Sequence, residues 1–445
     1  MGETKERTDA MDINEKLMNF LDRSPNAFWA VHNMAEELTD AGFTRLYEGA
    51  EWELGAGGSY FVTRNDSALI AFRLPKSRLR GFQMMASHAD SPVFKIKTNA
   101  EIEIDKKYVK LNVEKYGGML CAPWLDRPLS VAGRVVVETE TGIESRLINI
   151  DRDLLLIPNL AIHMNRQVND GYVYNAQTDM LPLFGSGVPK GEFLKLVAEA
   201  ANAAPEQVLD TDLFLYNRMR ASRFGLHGEF IGSGRLDDLQ CAFASLQGLL
   251  LSEPRESAAV HIVLDNEEVG SGTKQGAAGS FLRDTLRRIQ FSLGGGEEDY
   301  LRALCSSFLA SADNAHAVHP NHTDKSDPTN RPYLNEGIVI KYSANQKYTT
   351  DAVSGAIFRS LCRRAGVPVQ SFTNRSDMLG GSTLGNISNT QVALNTVDIG
   401  LPQLAMHSPY ETAGAKDTEY LVRAAKELFS SDIEGRGDGS YRLRP

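Results

Sequence analysis

The chain has little cysteine. Its four cysteines, Cys121, Cys241, Cys305 and Cys362, are widely spaced among 445 residues and form no C-x-x-C pair. That excludes a disulfide framework or a zinc knuckle and fits a reducing cytoplasm. Any metal must then be held by His and carboxylates. Long apolar runs are missing as well. The longest, around residues 248–251, falls far short of a bilayer span. The opening MGETKERTDAMDINEKL has no apolar secretory core. Gly2 starts an acylation pattern, but Glu6 stands where Ser or Thr is needed. Basic excess is also absent. A net charge of −10 argues against nucleic acid as a main partner, and no block of like charge marks a membrane or polyanion surface.

What is present is globular: 42% hydrophobic and 23% charged residues. The length allows two or three domains with more than one core. Helical periodicity covers residues 12–41, broken at Ser24-Pro25, where Ser caps a second helix and Pro enters its first turn. Gly42 ends that helix. Strands are expected at Tyr60–Thr63, Ala68–Leu74 and, buried, Gly81–Ser87.

From about residue 93 to 232 the texture becomes β-rich. Short segments follow one another at 102–104, 109–113, 131–137 and 143–150, with one helix near Glu192–Asn202. This stretch is expected to be an inserted domain between two parts of a catalytic domain, 1–92 and 233–445. After it, helices are expected at 236–250, 275–289, 299–310, 350–364 and 417–429. Strands are expected at 259–264, 337–342, 369–372 and 391–397, and the tail from Gly435 reads as loose. Alternation of this kind implies an α/β fold, a mostly parallel or mixed sheet covered by helices on both faces.

Five segments place a His or a carboxylate just past a strand or at a helix start, the edge where open α/β sheets bind ligands. In Ser87-His88-Ala89-Asp90, the carboxylate can orient an imidazole that binds metal; a strand-end His with Asp in a turn is the plain alternative. In Leu236-Asp237-Asp238, the acids also suit ordinary helix capping. In Asp265-Asn266-Glu267-Glu268, an apolar strand runs into adjacent acids that point different ways, so one can bind metal while the other faces an attacking water. Asp313-Asn314-Ala315-His316-Ala317-Val318-His319 concentrates two of nine histidines beside a carboxylate; a polar loop is its plain alternative. His407, in Ala405-Met406-His407-Ser408, gains weight only in company. Together the segments supply His and carboxylates without thiolate, a set that suits two metal ions sharing a bridging carboxylate. Zinc accepts such ligands, with Mn²⁺ or Co²⁺ as alternatives.

The pieces SHADSP, RLDD, DNEEVGS, SADNAHAVHPN and QLAMHS, in this order, resemble the aspartyl aminopeptidase family of metallo-aminopeptidases, over nearly the whole chain. The resemblance implies that His88 and Asp313 hold one metal, Glu268 and His407 the other, and that Asp237 bridges them. It implies that Asp90 orients His88, that Glu267 is the general base, and that His316 stabilises the tetrahedral intermediate or contacts substrate. Lys341 and Tyr348 would contact an acidic substrate side chain. The inserted unit would be a lid or dimerisation domain that sends His163 into a neighbouring subunit. Dimers would build a dodecamer, and the substrates would be peptides with an N-terminal Asp or Glu. The chain departs from the family pattern around Asn374-Arg375-Ser376-Asp377-Met378-Leu379, where the Met-Leu pair is an expected point of difference in the pocket. The stretch Gly380-Gly381-Ser382-Thr383 suits close backbone approach to substrate and lacks the ending of a phosphate loop. Two other classes fit the same residues: a two-metal deacylase of N-acyl amino acids, and a non-catalytic metal-stabilised scaffold.

Overall fold

The computed structural model describes residues 12–444 other than Leu379, Ser382 and Asp438. The leader and acylation readings on residues 1–11 lie outside the described residues, as do Leu379 and Ser382 of the stretches named above. A mixed nine-stranded sheet runs in the order Thr44–Leu46, Ser59–Arg64, Ala68–Arg73, Ser257–Leu264, Gly81–His88, Phe308–Ala312, Asn395–Gly400, Ile338–Lys341, Val369–Phe372. Its four middle strands, from Ser257–Leu264 to Asn395–Gly400, are mutually parallel, with His88 in register with Leu264.

Both faces of this sheet are buried, so its strands read as continuous apolar runs. Successive side chains still go to opposite faces. Leu69 and Ala71 enter the core under the helices Ile13–Arg23, Ala27–Asp40, Leu236–Leu250, Ala352–Ala365 and Asp417–Phe429. Ala68, Ile70 and Phe72 enter the core under Phe281–Ser292 and Glu297–Leu304. Gly248 lets Leu236–Leu250 approach Asp417–Phe429, since a Cβ there would lie 2.4 Å from the Cβ of Ala425. The α/β expectation with helices on both faces is the fold observed.

A six-stranded antiparallel sheet occupies residues 93–217, in the order Gly142–Asn149, Leu129–Thr139, Val208–Asn217, Val93–Ile104, Tyr108–Tyr116, Leu183–Ser186. It has its own core, including Phe94 packed edge-on to Trp124 at 5.2 Å and the helix Glu192–Ala200. The hairpin Ser222–Phe224 and Phe230–Ser233 pairs instead with Glu411–Gly414 in a third, five-stranded sheet.

Several boundaries differ from expectation. Asn26, not Ser24, caps the second helix, its side chain accepting from the amide of Trp29 at 3.3 Å. The helix expected at 275–289 begins only at Phe281, because Gly276 and Gly279 sit in tight turns where a Cβ would strike backbone. The helix expected at 299–310 ends at Leu304, and Phe308–Ala312 is a central strand; a five-residue apolar run gives periodicity too little to work with. The strand expected at 391–397 lies at Asn395–Gly400. The tail is not loose: Asp432–Gly435 and Tyr441–Arg444 pair as a hairpin.

Candidate active site

The C-terminal ends of three middle strands deliver His88, then Asp265 to Glu268, and then Asp313 to one edge of the sheet. The start of helix Leu236–Leu250 adds Asp237 and Asp238, and the loop before Glu411–Gly414 adds His407. Asp237 is 2% exposed and lies between two imidazoles. Its Oδ1 is 3.5 Å from His88 Nε2, and its Oδ2 is 3.3 Å from His407 Nε2. Glu268 Oε2 is 3.3 Å from His407 Nε2, and Asp313 Oδ1 is 3.9 Å from His88 Nε2. The sequence-nominated set of His88, Asp237, Glu268, Asp313 and His407 therefore converges.

Around these side chains lies a layer of hydrogen bonds. The Asp90 carbonyl oxygen is 3.0 Å from His88 Nδ1, while its carboxylate stands 3.4 Å away. That carboxylate accepts from the amides of Glu267 and Glu268, both at 3.1 Å, and from the Tyr116 hydroxyl at 2.7 Å. Asp90 thus orients the imidazole mainly through its backbone and holds the Glu267–Glu268 turn through its side chain. Glu411, buried, accepts from the amides of His407 at 2.7 Å and Asp237 at 3.1 Å. Asp238 Oδ2 accepts the His88 amide at 3.1 Å. Asn314 donates to the Leu236 carbonyl at 3.0 Å, which ties the Asp313 loop to the helix start. No motif assigned a role to Tyr116, Glu411 or Asn314; apart from His407, four residues before Glu411, these partners lie far off in sequence.

A cavity of about 390 Å³ opens beside this cluster, lined among others by Glu267, His316, Lys341, Tyr348, Phe372 and Thr383. Lys341 is 3% exposed and lies on the cavity wall, where the resemblance expects it. Its Nζ donates to the Asn314 carbonyl at 2.8 Å, stands 3.8 Å from Asp313 Oδ2 and 5.5 Å from the Tyr348 ring centre. Burial opposes its charge, but Asp313 and other acids outweigh that and raise its pKa. His316 is open to the cavity yet surrounded by protein on its other sides. This dehydration and the Lys341 charge lower its pKa, which favours a neutral imidazole. His163 lies in an exposed segment of the 93–217 region and does not line this cavity.

The donor set fits a divalent cation. Three buried carboxylate oxygens, Asp237 Oδ1, Asp238 Oδ1 and Glu268 Oε1, accept no hydrogen bond, a costly state without a compensating charge. Two groups of ligand atoms, each within 4.8 Å of one another, share Asp237: His88 with Glu268, and Asp238 with Asp313. Asp238, to which the motifs give no ligand role, belongs to the second of these groups. Without a cation, protons fill the role. Burial opposes charge on His407, but Asp237 and Glu268 raise its pKa to about 11. Burial raises Glu268 to about 7 and Glu267 to about 8. Burial also favours the neutral form of Asp237, but the neighbouring His407 and His88 imidazoles prevail and hold its pKa below the usual carboxylate range.

The aminopeptidase I zinc metalloprotease (M18) family matches residues 20–429. A relative from Clostridium acetobutylicum called probable M18 family aminopeptidase 2 is 46% identical over 428 residues, 94% of this chain and 99% of that protein. A chain in the cryo-EM structure of the Ape4 and Nbr1 complex superposes with a TM-score of 0.90 at 36% identity, covering 94% of this chain and 85% of that one. A chain of the S. cerevisiae mApe1 dodecamer gives 0.83 at 27% identity, covering 94% and 96%. The chain belongs to the M18 family, which includes aspartyl aminopeptidase, and is a zinc metallo-aminopeptidase.

Proposed function

We propose that the enzyme removes N-terminal residues, preferentially Asp or Glu, from peptides at a centre that holds two divalent ions. The observation that carries this reading is the position of Asp237, whose two oxygens face different histidines and which belongs to both ligand groups. His88 and Asp313 would hold one ion, Glu268 and His407 the other, and Asp237 both. Zinc suits these His and carboxylate donors, and Mn²⁺ or Co²⁺ would also be accepted. Bound ions of this kind supply Lewis acidity at the scissile carbonyl and make the attacking water more acidic.

The chain's own residues do the rest. Glu267 lines the cavity next to Glu268 and takes a proton from the attacking water as general base. As the C–N bond breaks, it passes that proton to the departing amine. Asp90 keeps Glu267 in place through the amide it accepts. A neutral His316 has an N–H to offer the oxygen that gains charge in the transition state. Lys341, buried beside Tyr348, presents a cation to an acidic side chain. A local cation is needed, because a net charge of −10 does not favour acidic substrates.

Residues 93–232 would act as an inserted lid and dimerisation domain, with His163 reaching a neighbouring copy. Exposed Leu160, Ile162 and Met164 around His163 support an interface there. Assembly of dimers into a dodecamer would parallel the mApe1 structure. All four cysteines are free, which supports a cytoplasmic setting, and among the described residues no helix is long and apolar enough to cross a membrane.

A panel of aminoacyl chromogenic substrates, run after chelation and after adding back Zn²⁺, Mn²⁺ or Co²⁺, tests this reading. Metal-dependent release from Asp and Glu derivatives above all others is expected. Release from neutral residues alone would remove the acidic pocket.

A further inference from the structure

The strand Tyr108–Tyr116 belongs to the six-stranded sheet, yet its end reaches the metal cluster of its own chain at three places. The Tyr116 hydroxyl donates to Asp90 Oδ2 at 2.7 Å and accepts from Asn266 Nδ2 at 2.8 Å. Gly117, at φ +75°, lies so close that a Cβ would stand 3.1 Å from Glu268 Cβ and 3.3 Å from its carbonyl oxygen. The Leu120 amide donates to the His407 carbonyl at 3.2 Å.

We propose that Tyr116 is a positioning residue for the aminopeptidase reaction, through which the six-stranded sheet sets the placement of Glu267. The inference rests on the reading of Glu267 as general base. Asp90 accepts three donors with two oxygens: the Glu267 amide on Oδ1, and the Glu268 amide together with the Tyr116 hydroxyl on Oδ2. Removing the hydroxyl frees the Asp90 carboxylate to rotate away from the two amides it orders. The same hydroxyl fixes Asn266, whose Oδ1 accepts from Thr273 Oγ1 and Gln275 Nε2, each at 2.8 Å. Both flanks of the Glu267–Glu268 turn are therefore tied to one phenol. Burial and the nearby Asp90 and Asp265 raise its pKa, so it stays a hydroxyl donor across the working range. The ring is held independently, edge-on to Phe214 at 5.8 Å, so that Phe can replace Tyr without emptying the site.

Among the metal-nominated residues, the carboxylate that Tyr116 holds bonds only Glu268, through its backbone amide, and His88 is held mainly by the Asp90 carbonyl. Tyr116 touches neither His88 nor His407, and the backbone of Asp237 and His407 hangs on Glu411. Loss of the hydroxyl should therefore slow turnover while leaving metal in place.

The test is steady-state kinetics and zinc content of the full-length enzyme with Tyr116→Phe, Asp90→Asn and the double variant. Tyr216→Phe serves as control, since its hydroxyl bonds Asn149 Oδ1 at 2.8 Å in the same sheet, away from the cluster. Expected for Tyr116→Phe is a kcat loss of roughly 10- to 100-fold with KM and zinc content unchanged. The double variant should be no slower than Asp90→Asn alone, because both changes act on one carboxylate. Tyr216→Phe should keep wild-type kcat. A Tyr116→Phe kcat within about twofold of wild type, a loss of zinc, or independent multiplicative losses in the double variant would each overturn the proposal. A Glu267→Gln enzyme that stayed active would instead remove the underlying base assignment, whatever Tyr116→Phe did.

Discussion

The nine-stranded sheet and the six-stranded sheet contribute to the site in different ways. The first delivers side chains from the C-terminal ends of parallel strands, where a ligand-binding crevice is expected on topology alone. His88 ends its strand, Asp313 follows directly on another, and Glu267 and Glu268 lie in the turn just past Leu264, so each strand both builds the core and aims a group. The second sheet is antiparallel, has a separate core, and touches the cluster with a strand end and the turn that follows it. Its contribution is a hydroxyl, a missing Cβ and a backbone amide. On the proposed roles, the first sheet supplies the base and three of the ligands, His88, Glu268 and Asp313, and alignment of the base comes partly from the second.

Removing the metal should break the comparison most completely. Chelation is expected to abolish turnover in every variant, and zinc to restore it. The pH sign follows from the protons the cluster holds without a cation. His407, raised to about 11, and Glu268, raised to about 7, must lose protons before they can bind, so uptake should release protons and affinity should rise with pH. Zinc content after dialysis at pH 5, 6, 7 and 8 checks this; retention at pH 5 equal to that at pH 8 would contradict it.

Glu267→Gln comes next. It should lower kcat by about 10²- to 10⁴-fold while zinc stays bound. Activity close to wild type would place the base elsewhere. Lys341→Ala should then cost about tenfold or more for acidic substrates and much less for neutral ones, since it removes one buried cation from the cavity. Equal losses for both substrate classes would assign Lys341 to holding Asp313 rather than to specificity. The smallest effect on chemistry should come from Phe94→Ala. It opens a cavity beside Trp124 in the six-stranded sheet and should destabilise that sheet by about 3–5 kcal/mol. Activity of the molecules still folded should persist, as read by hydrogen exchange of the two sheets together with kcat.

The legible part of the site was its first layer. Short motifs placed a carboxylate or His just past an apolar strand, and all of the metal-nominated residues proved to be neighbours in space. Helix Asp417–Phe429 was also legible to the residue, because its apolar face repeats over thirteen positions. The central strand Phe308–Ala312 was not, being five residues of Phe, Leu, Ala and Ser that suit either state. Nor was the second layer. Tyr116 meets Asn266 across 150 positions and Glu411 meets Asp237 across 174; Glu411 also takes the amide of His407 four positions away, but a lone Glu in a loop marks no such role. Lys341 was placed in the pocket only through the family resemblance, since lysine is seldom buried; the acids Asp313 and Asp398 near it make its burial tolerable.

Zinc stoichiometry per chain, measured by mass spectrometry on wild-type enzyme and Asp237→Asn, tests the central claim most directly. The bridging position of Asp237 predicts two ions per wild-type chain and loss of both in the variant, with the fold intact by circular dichroism. One ion per wild-type chain, or a variant that kept its full complement, would contradict it.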